Sequence, residues 1–148
     1  MTKDVAAFVQ ATKAVSREME RRLNDAMRPL GVTGPQAEAI VIIGAHEPMA
    51  LKELGTRLIA EAGHPSRLVD RLVDGGHVRR RVPDDNRRKV ELTLTARGRA
   101  LVPRILQARA TIMEWSAQVL GDCDLPAALS ALHAILGGDP PASALGMS

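Results

Sequence analysis

The stretch from His64 to Thr95, HPSRLVDRLVDGGHVRRRVPDDNRRKVELTLT, constrains this chain most, because its hydrophobic period changes partway through. Leu68, Leu72 and Val73 recur at helical spacing, with Arg67, Asp70, Arg71 and Asp74 on the other faces. Gly75-Gly76 supplies the left-handed residue on which a helix commonly ends. His77 to Val82 and Lys89 to Leu94 then alternate with period two. In the second run Val90, Leu92 and Leu94 point one way, and Glu91 and Thr93 the other. Between the two runs Pro83, Asp84, Asp85, Asn86, Arg87 and Arg88 form a turn composition that also carries positive charge. The expectation is a short helix followed by a β-hairpin with a basic tip.

Charge is concentrated in the same place. The whole chain carries a formal +3. From His64 to Arg99 there are ten Lys/Arg against five Asp/Glu, so +5 sits there and −2 falls to the remainder. A mildly basic total says little about partners, but a basic hairpin unit is what a phosphate-facing surface needs.

The 148 residues suit one compact domain, with elements free to pair across a dimer. Aromatic residues make up only 1%, so the core must be aliphatic. The single Cys123 excludes an intramolecular disulfide framework and any multi-cysteine zinc module. His46, His64, His77 and His133 are scattered without metal-ligand spacing, so neither metal nor cofactor is expected. Asp84-Asp85 lies in a charged turn and carries no catalytic signal, and no nucleophile–base pair suggests an enzyme. No apolar run is longer than the five residues of Ala39 to Ile43, far too short to span a bilayer. With no secretory segment after Met1, a cytoplasmic protein is expected.

Helices flank the hairpin unit. Lys3 to Leu30 has an apolar residue at three- and four-residue steps and ends at Gly31. Such a helix is longer than a small domain can cover alone, so part of it is expected to pack on another subunit. Thr33 and Pro35 open a second helix, apolar nearly all round from Gln36 to Ala45 and broken at Pro48. Met49-Ala50 is a candidate short strand. A third helix follows, with Leu51, Leu54, Leu58 and Ile59 inward, and Glu61-Ala62-Gly63 turns into the helix described first. After Thr95, an N-cap, a long helix runs to Gly121 with Pro103 early in it. A last helix, about Leu125 to Leu136, places Leu125, Leu129, Leu132 and Leu136 on one face. The fold class is thus mainly α with a small β-hairpin wing (α+β). It reads as a winged helix-turn-helix at 32–95 between long N- and C-terminal helical regions at 1–31 and 96–137, with 138–148 a flexible tail.

Three pieces, LKELGTRL at 51–58, RLVDRLVDGGHVRRR at 67–81 and NRRKVELTLTARG at 86–98, resemble the MarR family of bacterial transcriptional regulators. The resemblance extends over nearly the whole chain. It implies a homodimer held by the terminal helices, each protomer presenting one winged helix to half of a palindromic operator. The recognition helix would enter the major groove and the wing an adjacent minor groove. It also implies a small hydrophobic or phenolic effector that releases the DNA, and so a repressor.

The site residues follow from this outline. Arg87 at the wing tip has the fork that suits a narrow, negative minor groove. The resemblance implies that Arg88 pairs with Asp70 and fixes the wing to the recognition helix, a direct phosphate contact being the alternative. His64, Ser66 and Arg67 lie where that helix meets base edges and phosphates, and Arg67 suits guanine or a phosphate equally. Arg71 is expected to face the backbone or Asp74. Of Arg79, Arg80 and Arg81, alternating along a strand, only one or two can face DNA, and Lys89 is a weaker candidate. Cys123 reads as a bystander thiol. The other function to weigh is a winged-helix protein–protein interaction module without an operator, which would tolerate an acidic or apolar wing tip.

Overall fold

The structure, a computed structural model, describes residues 1–59, 64–85 and 89–138. The chain opens with helix α1, Thr2–Met27, which tightens into a 3-10 turn at Arg28–Leu30. Gly31 ends it at φ 76°, the left-handed conformation that glycine adopts without a Cβ clash. Thr33 then starts helix α2, Gly34–His46, with a complete capping box. The Thr33 hydroxyl accepts from the Gln36 N–H at 3.2 Å, and the Gln36 side chain accepts from the Thr33 N–H at 2.9 Å. Because α2 is apolar on most sides, it takes the centre: Ala37, Ala39, Ile40, Ile42 and Ile43 are all buried.

After the cis Glu47-Pro48 bond come strand β1, Met49–Ala50, and helix α3, Leu51–Arg57. Helix α4, Pro65–Asp74, buries Leu68, Val69 and Leu72. Strands β2, Val78–Arg81, and β3, Glu91–Leu94, form the hairpin. Both strands are shorter than their alternation suggests. The sheet order is β1-β3-β2, antiparallel throughout, with Val78 opposite Leu94, Arg80 opposite Leu92 and Met49 also opposite Leu92. Leu92 and Leu94 turn to the core while Glu91 and Thr93 remain half-exposed, as the period-two pattern requires.

Helix α5, Ala96–Leu120, carries Pro103 inside it, and α6, Leu125–Leu136, leaves it at an angle of 114°. The Thr95 hydroxyl accepts the Gly98 N–H at 3.0 Å and donates to the Gly76 carbonyl at 2.6 Å. One side chain therefore caps α5 and ties it to the end of α4. Gly98 lets the two approach: a Cβ there would lie 2.1 Å from the His77 carbonyl oxygen.

One aliphatic core gathers α2, α3, α4, the sheet, the end of α1 (Met27) and the start of α5 (Leu101, Ile105). Ile59 is a correction to the sequence reading: it is 62% exposed, because α3 stops at Arg57 and the helical face does not reach it. Outside this core the apolar faces stay open. Val5 and Val15 on α1, Met113 and Val119 on α5, and Leu129 and Leu136 on α6 are all exposed. Among the described residues no single helix is long and apolar enough to cross a membrane.

Candidate nucleic-acid interface

Helix α4 is amphipathic because its apolar residues recur at helical steps, and burial of Leu68, Val69 and Leu72 turns the opposite face outward. His64 at the N-cap, then Ser66, Arg67, Asp70 and Arg71, are all exposed on that face. Pro65 occupies the first turn, where a missing N–H costs nothing. The first-turn N–H groups and the positive end of the helix thus lie at exposed residues, His64, Ser66 and Arg67, an arrangement suited to phosphate. Arg71 Nε donates to the Arg67 carbonyl at 3.3 Å, so it lies back along its own helix.

Beside α4 lies β2. Val78 is buried at its start, and Arg79, Arg80 and Arg81 are exposed in succession at the edge of the sheet. The Arg80 guanidinium donates to the Asp70 carboxylate, joining the hairpin to the outer face of α4. Arg80, expected to contact DNA, is thus held by Asp70. Arg87 and Arg88, including the expected Asp70–Arg88 pair, lie outside the described residues, as does the turn at Glu61-Ala62-Gly63. Lys89 is exposed, with its Nζ 4.0 Å from Glu91 Oε1. The structure therefore brings His64, Ser66, Arg67, Asp70, Arg71 and Arg80 onto one continuous surface.

Two braces behind this surface gave no signal in the sequence. Glu47, at the end of α2, accepts the Leu94 N–H at 2.7 Å through Oε2 and the Arg99 guanidinium through Oε1. Burial works to raise its carboxyl, but the Leu94 N–H and Arg99 together bring it below the ordinary 4.5. His77 is 5% exposed where α4, β2 and α5 meet, and among the described residues its Nδ1 has no hydrogen-bond partner. Burial, with the charge of Arg97 second, holds the imidazole below its ordinary 6.5.

A separate cleft of about 340 Å³ lies between α1 and α5, lined by Arg21, Arg22, Asp25, Thr111, Ile112 and Trp115. Arg22 stacks 3.7 Å from the Trp115 ring centroid. Its Nε is 2.8 Å from Glu18 Oε1, close as an ion pair although off the direction of a hydrogen bond. Arg21 reaches both Glu18 and Asp25, so the arginines of the cleft are neutralised from within α1. Cys123 is exposed in the short link between α5 and α6. Among the described residues no group of His, Cys, Asp and Glu could hold a metal ion.

Residues 32–98 match the winged helix DNA-binding domain family. Over 123 residues the chain is 29% identical to the organic hydroperoxide resistance transcriptional regulator of Bacillus subtilis (strain 168), covering 83% of this chain and 82% of that one. The fold is shared with a MarR family transcription regulator (TM-score 0.76, 21% identity, 91% of this chain and 89% of that one). It is shared also with a mutant MarR from E. coli solved with operator DNA (TM-score 0.71, 24% identity, 89% and 94%). By its matched domain, its regulator relative and its architecture, this chain is similar to the MarR family of winged-helix, DNA-binding transcriptional regulators.

Proposed function

We propose that the chain is a cytoplasmic homodimeric repressor that binds a palindromic operator and is released from it by a small hydrophobic or phenolic effector. The observation that carries the DNA-reading part is the continuous exposed surface of α4 and β2, with His64, Ser66, Arg67 and Arg71 on the helix beside the arginines of the strand. In this reading α4 enters the major groove, where Arg67 and Ser66 meet base edges and phosphates. Arg87, Arg88 and Lys89 follow from the sequence as the wing's contacts to the minor groove and backbone. Arg80 acts on the DNA by holding the wing to α4 through Asp70.

Residues 32–95 form the reading unit in this proposal, and 1–31 with 96–137 join two protomers. The open apolar faces of α1, α5 and α6 support it, since α6 has no buried residue of its own and Leu136 is 65% exposed. Two protomers would cover these faces and set two α4 helices at operator half-site spacing. The effector then acts by binding better to a dimer whose reading units are wrongly spaced. The cleft beside Trp115 falls in the size range of small-molecule sites and lies on the dimerisation helices.

The test is fluorescence anisotropy with DNA flanking the chain's own gene, against random DNA, at several salt concentrations. Affinity should fall steeply with salt as phosphate-bound counterions are released. Arg67→Ala should cost about 1–3 kcal/mol on the operator. No preferred binding at low salt overturns the reading.

A further inference from the structure

Helix α3 ends at Arg57, and Leu58, its C-cap, gives its N–H to the Leu54 carbonyl. The next N–H, that of Ile59, has no helical acceptor. It donates to Glu38 Oε1 at 2.6 Å, across 21 positions of chain. The Ile59 side chain is mostly exposed, so burial does little to hold the backbone there. The Glu38 carboxylate does. Glu38 stands on α2 between the buried Ala37 and Ala39, on the helix that contributes most buried residues to the core. Five positions after Ile59 comes His64, the N-cap of α4, so a fixed Ile59 sets where the connection to the DNA-reading helix begins.

The Glu38 carboxylate thus holds a peptide N–H on the path into α4. We propose that Glu38 is a positioning residue for operator recognition, fixing the approach to α4 through the Ile59 N–H. This rests on the operator-binding reading above, but it assigns no DNA contact to either residue.

The experiment uses the full chain and two variants, Glu38→Ala and Glu38→Gln. Glu38→Ala should weaken operator binding about tenfold, the scale of one hydrogen bond to a charged group. Binding to random DNA and the salt slope should stay unchanged, because no phosphate contact is lost. Glu38→Gln keeps an acceptor for Ile59 and should recover most of the affinity. Hydrogen exchange gives a readout that needs no DNA: the Ile59 amide should be protected in the parent chain and exchange at least about tenfold faster in Glu38→Ala, with α2 amides unchanged. Equal losses on operator and random DNA, no rescue by Gln, or an unprotected Ile59 amide in the parent chain would each overturn the inference. A protected amide in a chain without operator preference would strike down the operator reading while supporting the role of Glu38 at Ile59.

Discussion

The two halves of this molecule treat their apolar residues in opposite ways. In the reading unit Ile40, Ile43, Leu54, Leu68, Leu72 and Leu92 are each no more than 1% exposed, closed off by neighbours from the same chain. On the terminal helices Val15, Met113, Leu129 and Leu136 are each about half exposed or more, although their helical periodicity is as regular. Periodicity therefore says that a face is apolar and leaves open which molecule covers it. One half closes its apolar residues within the chain, and the other leaves them exposed.

The difference can be pressed hardest from within the complete half. Gly98→Ala forces a Cβ onto the His77 carbonyl, and should cost about 3 kcal/mol or more, read as a lowered midpoint in urea. Leu72→Ala should cost about 2–5 kcal/mol by the same measurement, because the site is fully enclosed. A matching truncation on the open half, Leu129→Ala, should shift the monomer–dimer balance in sedimentation while leaving a folded protein. If Leu129→Ala instead unfolds the chain with no change in association, the contrast between the halves is wrong.

A smaller effect sharpens the comparison through pH. His77 is held neutral by burial, so as pH falls below 6.5 the unfolded chain takes up a proton that the folded one resists, and stability falls. Glu47, held ionised, adds a second loss below 4.5 for the corresponding reason. A melting temperature followed from pH 7 to 5 should decline in the parent chain and decline less in His77→Leu. The smallest effect lies on the open half, where Arg22→Gln removes the stacking on Trp115 and should cost about 0.5–1 kcal/mol in thermal melts.

Much of the fold was legible in short-range chemistry. Thr33 and Thr95 as caps, Gly31 as a stop, the period-two run ending at Leu94 and the amphipathic α4 each depend on residues within a turn or two of one another. Met49-Ala50 also forms the short strand its composition suggested. What lay beyond reading was long-range pairing between ordinary charges. Glu47 and Arg99 stand 52 positions apart, and nothing local distinguishes either from a solvated surface residue. Asp70 finds Arg80 ten positions away because β2 runs back beside α4, a choice among several arginines that spacing alone leaves degenerate. Ile59 continues a helical pattern by sequence, yet its helix has already ended. On the candidate interface, the exposed residues of α4 followed from amphipathicity, whereas the occupation of Arg80 by Asp70 required the fold.

Helix α5 begins at the foot of the hairpin and runs unbroken for 25 residues, about 37 Å at 1.5 Å per residue. It is a lever with the reading unit at one end and the exposed apolar tip at the other. At that radius a tilt of about 5° moves the far end by about 3.2 Å, close to one nucleotide step along DNA. On the proposed function, a ligand that shifts the packing at one end of α5 by a fraction of a side chain would have enough mechanical advantage to put two reading units out of phase with the double helix.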